Sequence, residues 1–347
     1  MMNNKKMNAV LHKIINQYGI YLIFILLLVV SAIISPRFFT AKNIISVLRQ
    51  IAVTAILSFG ITLLIISGMI DLSMGAVVAL SGMIGINAFL LTNSFFVAFL
   101  VACAVAVACG YINGTLITRL RLPAFIATMA MDTIARGSVY LYTGGSPIYQ
   151  IGGMGAVSTS SVGIVPVPVI IMLVIGVITF VILRYTRFGR SLYASGGNAE
   201  AAEASGINVG RTRRTAFIIS GIFVGIAAIL QMARLNSGLP DTAEGYHADA
   251  IASAVIGGTS FTGGIGTAQG TLVGAFIIGI IGNILNLVGV QSYVQQIVKG
   301  IIIIVAVSFD LMGKARKVRR VHEQSDGGAG AGKPEDTPAP QQGGQGT

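Results

Sequence analysis

The chain has 347 residues, 54% of them hydrophobic and 10% charged, with a formal net charge of +11 and a mean hydropathy of +0.82. That balance excludes a soluble domain and marks an integral membrane protein. The basic excess lies between and beyond apolar runs with no aromatic-interleaved face, so it is topogenic charge and not a nucleic-acid footprint.

Apolar runs of about 20 residues, the length of a membrane helix, follow one another at 18–34, 51–70, 72–91, 95–118 and 123–142, then at 165–185, 215–234, 248–259, 267–288 and 293–309. They predict an all-α, polytopic membrane protein of about ten transmembrane helices in two pseudo-related halves, the eighth short and glycine-broken. The domain reading is a cytoplasmic N-terminal segment 1–17, a transmembrane domain 18–310, and a tail 311–347 that is basic and then disordered from Gln324 onward, where Gly, Pro, Gln and Glu bury too little to offset ordering entropy. Lysines ahead of the first run resemble a signal peptide, but its length and the spans that follow favour an uncleaved helix.

With both termini cytoplasmic, inside segments collect Lys5, Lys6, Lys13, Arg119, Arg121, the arginines around residue 200 and the Lys/Arg run after 313. The outside keeps only Arg37, Lys42, Arg49 and Arg234, so charge bias sets this orientation. Tyr18, Tyr21, Tyr140, Tyr142 and Tyr185 sit at the span boundaries, where interfacial rings belong. Cys103 and Cys109 lie about 240° apart on one helix and form no disulfide framework. His12, His247 and His322 have no partner at metal-ligand spacing.

A hydrophilic insert, the loop 186–214, divides the chain. Asn198 is an N-cap, Glu200 puts negative charge in the first turn, Ala and Glu203 fill the body, and Gly206 supplies a left-handed stop. Arg184, Arg187 and Arg190 stand on one side and Arg211, Arg213 and Arg214 on the other, so this short helix faces the cytoplasm and calls for a partner.

Two glycine-rich interruptions occupy comparable places in the halves: Gly68-Met-Ile-Asp71-Leu-Ser73-Met-Gly75, and Gly257-Gly258-Thr259-Ser260-Phe-Thr262-Gly263-Gly264-Ile-Gly266. They read either as irregular backbone lining a cavity or as plain interhelical turns. Asp71 in or near the bilayer needs a partner or water. Asp132 and Arg136, four apart on one helical face, are expected to neutralise each other, and Lys299 is expected to snorkel to the outer surface. Polar positions suited to a neutral solute or to helix–helix bonding are Asp71, Ser73, Asn87, Asn113, Thr128, Thr259, Ser260, Asn283 and Asn286. Asp241, Glu244 and Asp249 make one outer loop acidic and suited to docking a soluble partner, but no acidic, aromatic-flanked carbohydrate cleft is legible. The 327–333 run, ending in Lys333, imitates a phosphate-binding loop, but Pro334 stands where Ser or Thr would hold magnesium and no strand precedes it.

The two interruptions, the Asn113-Gly-Thr-Leu-Ile-Thr-Arg-Leu-Arg-Leu-Pro123-Ala-Phe125-Ile-Ala-Thr128 stretch, the 189–206 loop and the run from Asp249 through Gly270-Thr-Leu-Val-Gly274 occur in that order. Together they resemble the permease subunits of bacterial ribose-type sugar importers of the ATP-binding cassette class, over residues 43–307. The resemblance implies a transport subunit and not an enzyme: a ten-helix protein of the bacterial cytoplasmic membrane, paired with a second permease copy. It also implies ATPase subunits that bind the ATP and magnesium, and an extracytoplasmic binding protein that delivers the sugar and does most of the selecting. The loop matching Gly189, Arg190, Tyr193, Gly196, Gly197, Asn198, Glu200, Glu203, Ser205 and Gly206 is then the coupling helix that the ATPase grips. Asp132 departs from the small or hydroxyl-bearing residue expected there. The alternative is an ion-coupled secondary transporter of a small polar solute, with Asp71 and Asp132 as ion sites.

Overall fold

A computed structural model describes residues 4–308 and Asp310, with side chains from Gly19 onward. The basic tail, the 327–333 run and the disorder expected beyond Gln324 lie outside the described residues. Five helices open the chain: α1 (Asn4–Ile34), α2 (Ala41–Ile66), α3 (Met74–Thr92), α4 (Phe95–Arg119) and α5 (Ala124–Thr143). A loop region follows with β1 (Ile148–Tyr149), a 3-10 turn, the short α6 (Ala156–Thr159), β2 (Ser161–Val162) and β3 (Val165–Pro166). Then come α7 (Val167–Tyr185), α8 (Arg187–Gly197), α9 (Ala199–Ala204), α10 (Val209–Leu235), β4 (Ser237–Gly238), α11 (Tyr246–Ile256), α12 (Ala268–Leu287) and α13 (Ser292–Ser308).

Among the described residues six helices, α2, α3, α4, α7, α10 and α12, are long and apolar enough to cross a membrane, and α1 and α13 carry shorter apolar stretches. In α5, Asp132 and Arg136 interrupt an otherwise apolar 20-residue helix. α11 has 11 residues, about 16 Å of helix at 1.5 Å per residue, roughly half a hydrocarbon core.

α2 is the axis of the bundle. Every residue from Ile51 to Ile66 is buried, with α7, α10, α11 and α12 around it, which is the environment a helix apolar on all sides requires. The span expected to end at Ile70 stops at Ile66 because Gly68 takes φ +77°. The Gly68 amide donates to Ile65 O and the Met69 amide to Leu64 O, both at 2.9 Å, closing a Schellman turn.

α4 and α10 form the tightest long contact. Gly110 and Gly114 of α4 face Phe217 and Arg214 of α10, while Gly221 and Gly225 of α10 face the α4 backbone at Ala106 and Cys103, with space for no side chain between them. In lipid there is no water to drive helices together, so close van der Waals approach at such small-residue stripes carries the association. At the end of the bundle opposite the arginine-rich insert, β1 pairs antiparallel with β4, Ile148 against Gly238 and Tyr149 against Ser237. The uncharged loop after α5 is thereby tied to the loop after α10.

Candidate functional site

The insert is two helices, not one. Thr186 Oγ1 accepts from the Gly189 amide at 3.0 Å and starts α8; Asn198 Oδ1 accepts from the Ala201 amide at 2.9 Å and starts α9. α9 ends as its sequence specifies: Gly206 has φ +82°, its amide donates to Glu203 O at 2.9 Å, and the Ile207 amide donates to Ala202 O at 3.0 Å. Asn208 then caps α10 through the Arg211 amide at 2.8 Å. The glycines at 189, 196 and 197 conceal α8 from propensity arguments. The Thr186 cap and the i, i+4 pair of Phe188 and Leu192 were the available signals.

α8 is seated against both glycine-rich interruptions. A methyl group on Gly196 would overlap the carbonyl oxygen of Ile66, the last residue of α2, and that oxygen also accepts the Gly264 amide at 2.9 Å. Tyr193 Oη donates to Gly266 O at 2.7 Å. Burial pushes the Tyr193 phenol up, against an opposing pull from Arg184, so the group stays protonated and remains a donor. Arg213 of α10 spans the joint, Nε to Ser67 O at 3.2 Å and Nη2 to Ser195 O at 3.3 Å. Gly189 packs on the α7 backbone at Ile182 and Leu183.

The ten insert positions singled out from sequence therefore divide. Gly189, Tyr193 and Gly196 brace the insert against the bundle, while Arg190, Gly197, Asn198, Glu200, Glu203, Ser205 and Gly206 are exposed. Arg213 was missed, because in sequence it is one more flanking arginine.

The polar candidates do not gather in one place. Asp71 Oδ1 accepts from the Ser73 amide at 2.8 Å and from Ser73 Oγ at 2.6 Å, and Asn113 Nδ2 donates to Ser73 Oγ at 3.1 Å. These three form one buried chain that ties the start of α3 to α4. Thr128 Oγ1 bonds back to Ala124 O of its own helix. Thr259 is buried in the second glycine turn, and Ser260 Oγ donates to Asp310 Oδ2 at 3.1 Å. Asn283 and Asn43 exchange reciprocal bonds of 2.9 and 3.1 Å, locking α12 to the first turns of α2, and Asn286 accepts from Gln295 Nε2 at 2.9 Å. Asn87 Nδ2 donates to Tyr142 Oη between α3 and α5.

At the end of the bundle opposite the insert the expected pairings are replaced. Arg136 does not pair with Asp132; its Nη1 donates to Pro240 O at 2.6 Å and Thr242 O at 3.2 Å, because the loop before α11 folds over α5 and offers carbonyls. Lys299, within snorkelling reach of this end, meets a partner there: its Nζ lies 2.7 Å from Oδ2 of Asp249, which is buried in the first turn of α11 and not in an open loop. This is the ion pair among the described residues. A hollow of about 210 Å³ is lined by Asp132, Arg136, Tyr140, Asp241, Glu244 and His247. A neighbouring cavity of about 460 Å³ shares Glu244 and His247 and extends to Asp249, Gln295, Gln296 and Lys299. Among the described residues no cluster of His, Cys, Asp and Glu has a metal-binding arrangement.

Residues 43–307 match the family model described as branched-chain amino acid transport system / permease component. The chain belongs to this permease family. It is 39% identical over 302 residues to the ribose import permease protein of Escherichia coli (strain K12), covering 86% of this chain and 94% of that one. It is 39% identical over 300 residues to the ribose import permease protein of Bacillus subtilis (strain 168), covering 86% and 93%. The D-allose transport system permease protein of E. coli K12 is 37% identical over 299 residues, covering 85% and 91%. No solved structure matches the chain.

The matched stretch coincides with the one that carried the resemblance in the sequence, and it takes in the insert, both glycine turns and the hollow beside Asp132. Family membership and six apolar helices make this a multi-pass membrane protein with a transport role.

Proposed function

We propose that this permease is the membrane-spanning subunit of an ATP-binding cassette importer and carries a ribose-like monosaccharide handed to it by an extracytoplasmic binding protein. The relatives are sugar permeases by name, at 37–39% identity across nearly their whole length. In this reading the transmembrane domain is 18–310 with ten helical spans in two halves, α1, α5, the half-length α11 and α13 joining the six long apolar ones. Both termini are cytoplasmic in the bacterial inner membrane, and a second copy completes the passage. ATP and magnesium belong to partner ATPase subunits, which grip the exposed face of α8 and α9.

The observation that carries the coupling role is the seat of α8. Gly196, Tyr193 and Arg213 join it to the last carbonyls of α2 and to the turn between α11 and α12. A push on the insert is thereby delivered to both glycine-rich turns through rigid backbone contacts and not through a flexible loop. ATP-driven closure of the partners moves α8 and α9 as levers, and the helices attached to those turns rock so that the cavity opens alternately to each side. The drive is the differential affinity of the ATPase for the two membrane states. Asp71 Oδ1 is taken up by the Ser73 amide and hydroxyl at the start of α3, a local capping role that needs no coupling ion.

The test is D-ribose uptake by the purified complex in proteoliposomes. Uptake that persists when ionophores collapse all ion gradients and stops when ATP is withheld supports the reading. Uptake driven by an imposed ion gradient without ATP overturns it.

A further inference from the structure

The sequence left solute selection to the binding protein, because no acidic, aromatic-flanked cleft was legible in the permease. Tertiary structure assembles one. Asp132, Arg136 and Tyr140 recur at i, i+4 and i+8 along α5 and share one face of that helix; Asp241 and Glu244 of the loop before α11, and His247 in the first turn of α11, lie against them around the hollow of about 210 Å³. Glu244 and His247 also border the cavity of about 460 Å³ that reaches α13, so the two hollows adjoin. The smaller hollow lies below, and the larger within, the roughly 300–1,000 Å³ of small-molecule sites, so it is the two together that give room for a small polar molecule.

The chemistry of the walls is specific. Asp132, with Arg136 one turn on, interrupts an otherwise apolar helix; it is partly shielded from solvent and makes no hydrogen bond or ion pair among the described residues. An unpaired carboxylate at such a place is costly and marks a solute pathway by default. Arg136 is held in position by two carbonyls, so its direction is set before any ligand arrives. His247 Nδ1 is buried without a hydrogen-bond partner, close to the backbone at Gly75. The ring of His247 borders both hollows. Carboxylate acceptors, positioned donors and a tyrosine ring together fit a ring-shaped polyhydroxylated solute: hydroxyls donate to Asp132 and Glu244, and the C–H face lies on Tyr140.

We propose that this hollow is a sugar-receptive site of the permease itself, so that the membrane subunit selects its solute a second time after the binding protein has released it. The inference rests on the proposed importer reading. It is tested on the complete complex with its ATPase and binding protein, using a photoreactive D-ribose derivative, with D-ribose and leucine as competitors. Label on the peptides containing Tyr140 and His247, displaced by D-ribose and not by leucine, is expected. Asp132→Ala and Glu244→Gln should each lower D-ribose uptake roughly tenfold, the scale of one hydrogen bond to a charged group, while ATP hydrolysis stimulated by the loaded binding protein stays within about twofold of wild type. A merely structural role for these residues would lower both rates together, and that outcome overturns the site. So does label confined to other segments, or ribose uptake unchanged in both variants. A wild-type complex that imports leucine and not D-ribose removes the sugar reading as well, and is distinguished by failing before any substitution is made.

Discussion

Gly196 in α8 lies directly on the carbonyl oxygen of Ile66, the residue that ends α2, and no side chain fits between them. The same oxygen accepts the Gly264 amide at 2.9 Å, so one backbone atom joins the insert, the central helix and the turn after α11. Gly196→Ala forces that joint apart. The variant is expected to reach the membrane but to lose at least about 90% of ATP-driven uptake, measured in vesicles against Gly19→Ala, whose added methyl meets open space. Normal uptake by Gly196→Ala would remove the joint from the mechanism.

Arg213 tests the same joint from the side of α10. Its guanidinium reaches Ser67 O and Ser195 O at once, a forked geometry that an ammonium group does not reproduce. Arg213→Lys keeps the topogenic charge and is expected to cut uptake several-fold while stimulated ATP hydrolysis persists. Equal loss of protein abundance and of uptake in quantitative blots would assign Arg213 to stability alone.

On the exposed side, Glu203→Arg combined with Gly206→Val alters the surface offered to a partner. A β-branched residue at φ +82° costs about 1–2 kcal/mol, confined to the end of a six-residue helix. The double variant is expected to insert normally, and its uptake and its ATPase stimulation are expected to become uncoupled. Co-purification of a full complement of ATPase with wild-type uptake would contradict the gripping role of α8 and α9.

The Asp249–Lys299 pair holds α13 to α11 at 2.7 Å, with the carboxylate side chain 11% exposed and the ammonium side chain 31% exposed. Asp249→Asn leaves a cation without its counter-ion and is expected to cost about 2 kcal/mol, reduced from the fully buried case by the partial exposure of the lysine. Adding Lys299→Met removes the stranded charge, and the double variant should recover most of the loss in thermal unfolding in detergent. If the double variant is as unstable as the single one, charge pairing is not what holds α13.

Much of this protein was legible one-dimensionally. Asn198 and Gly206 mark a helix start and stop because a cap bonds within three or four residues of itself, and those bonds form where they were expected. By contrast, α8 was hidden: three glycines lowered its apparent propensity, while packing of Leu192, Tyr193 and Gly196 onto the bundle supplies what propensity lacks. Asp132 and Arg136 have pairing spacing on one helical face, yet Arg136 turns to Pro240 and Thr242, since a folded-over loop brings two positioned carbonyls within its reach. Asn283, read from sequence as either a solute contact or a helix–helix bond, bonds to Asn43, 240 positions away, a partner that no local pattern names.

By itself the sequence determined the solvent, the family and the local punctuation: a bilayer from hydropathy, an arginine-flanked hydrophilic insert, and caps and glycine stops at helix ends. These are properties of composition and of neighbours within about one helical turn. Only the tertiary structure decided which backbone carbonyl Gly196 would rest on, that both glycine turns would meet at α8, and that Asp132, Tyr140, Glu244 and His247 would surround one hollow. Those outcomes depend on how far each helix is rotated about its axis and how closely glycine stripes such as those of α4 and α10 let backbones approach. Hydropathy along the chain does not carry that information.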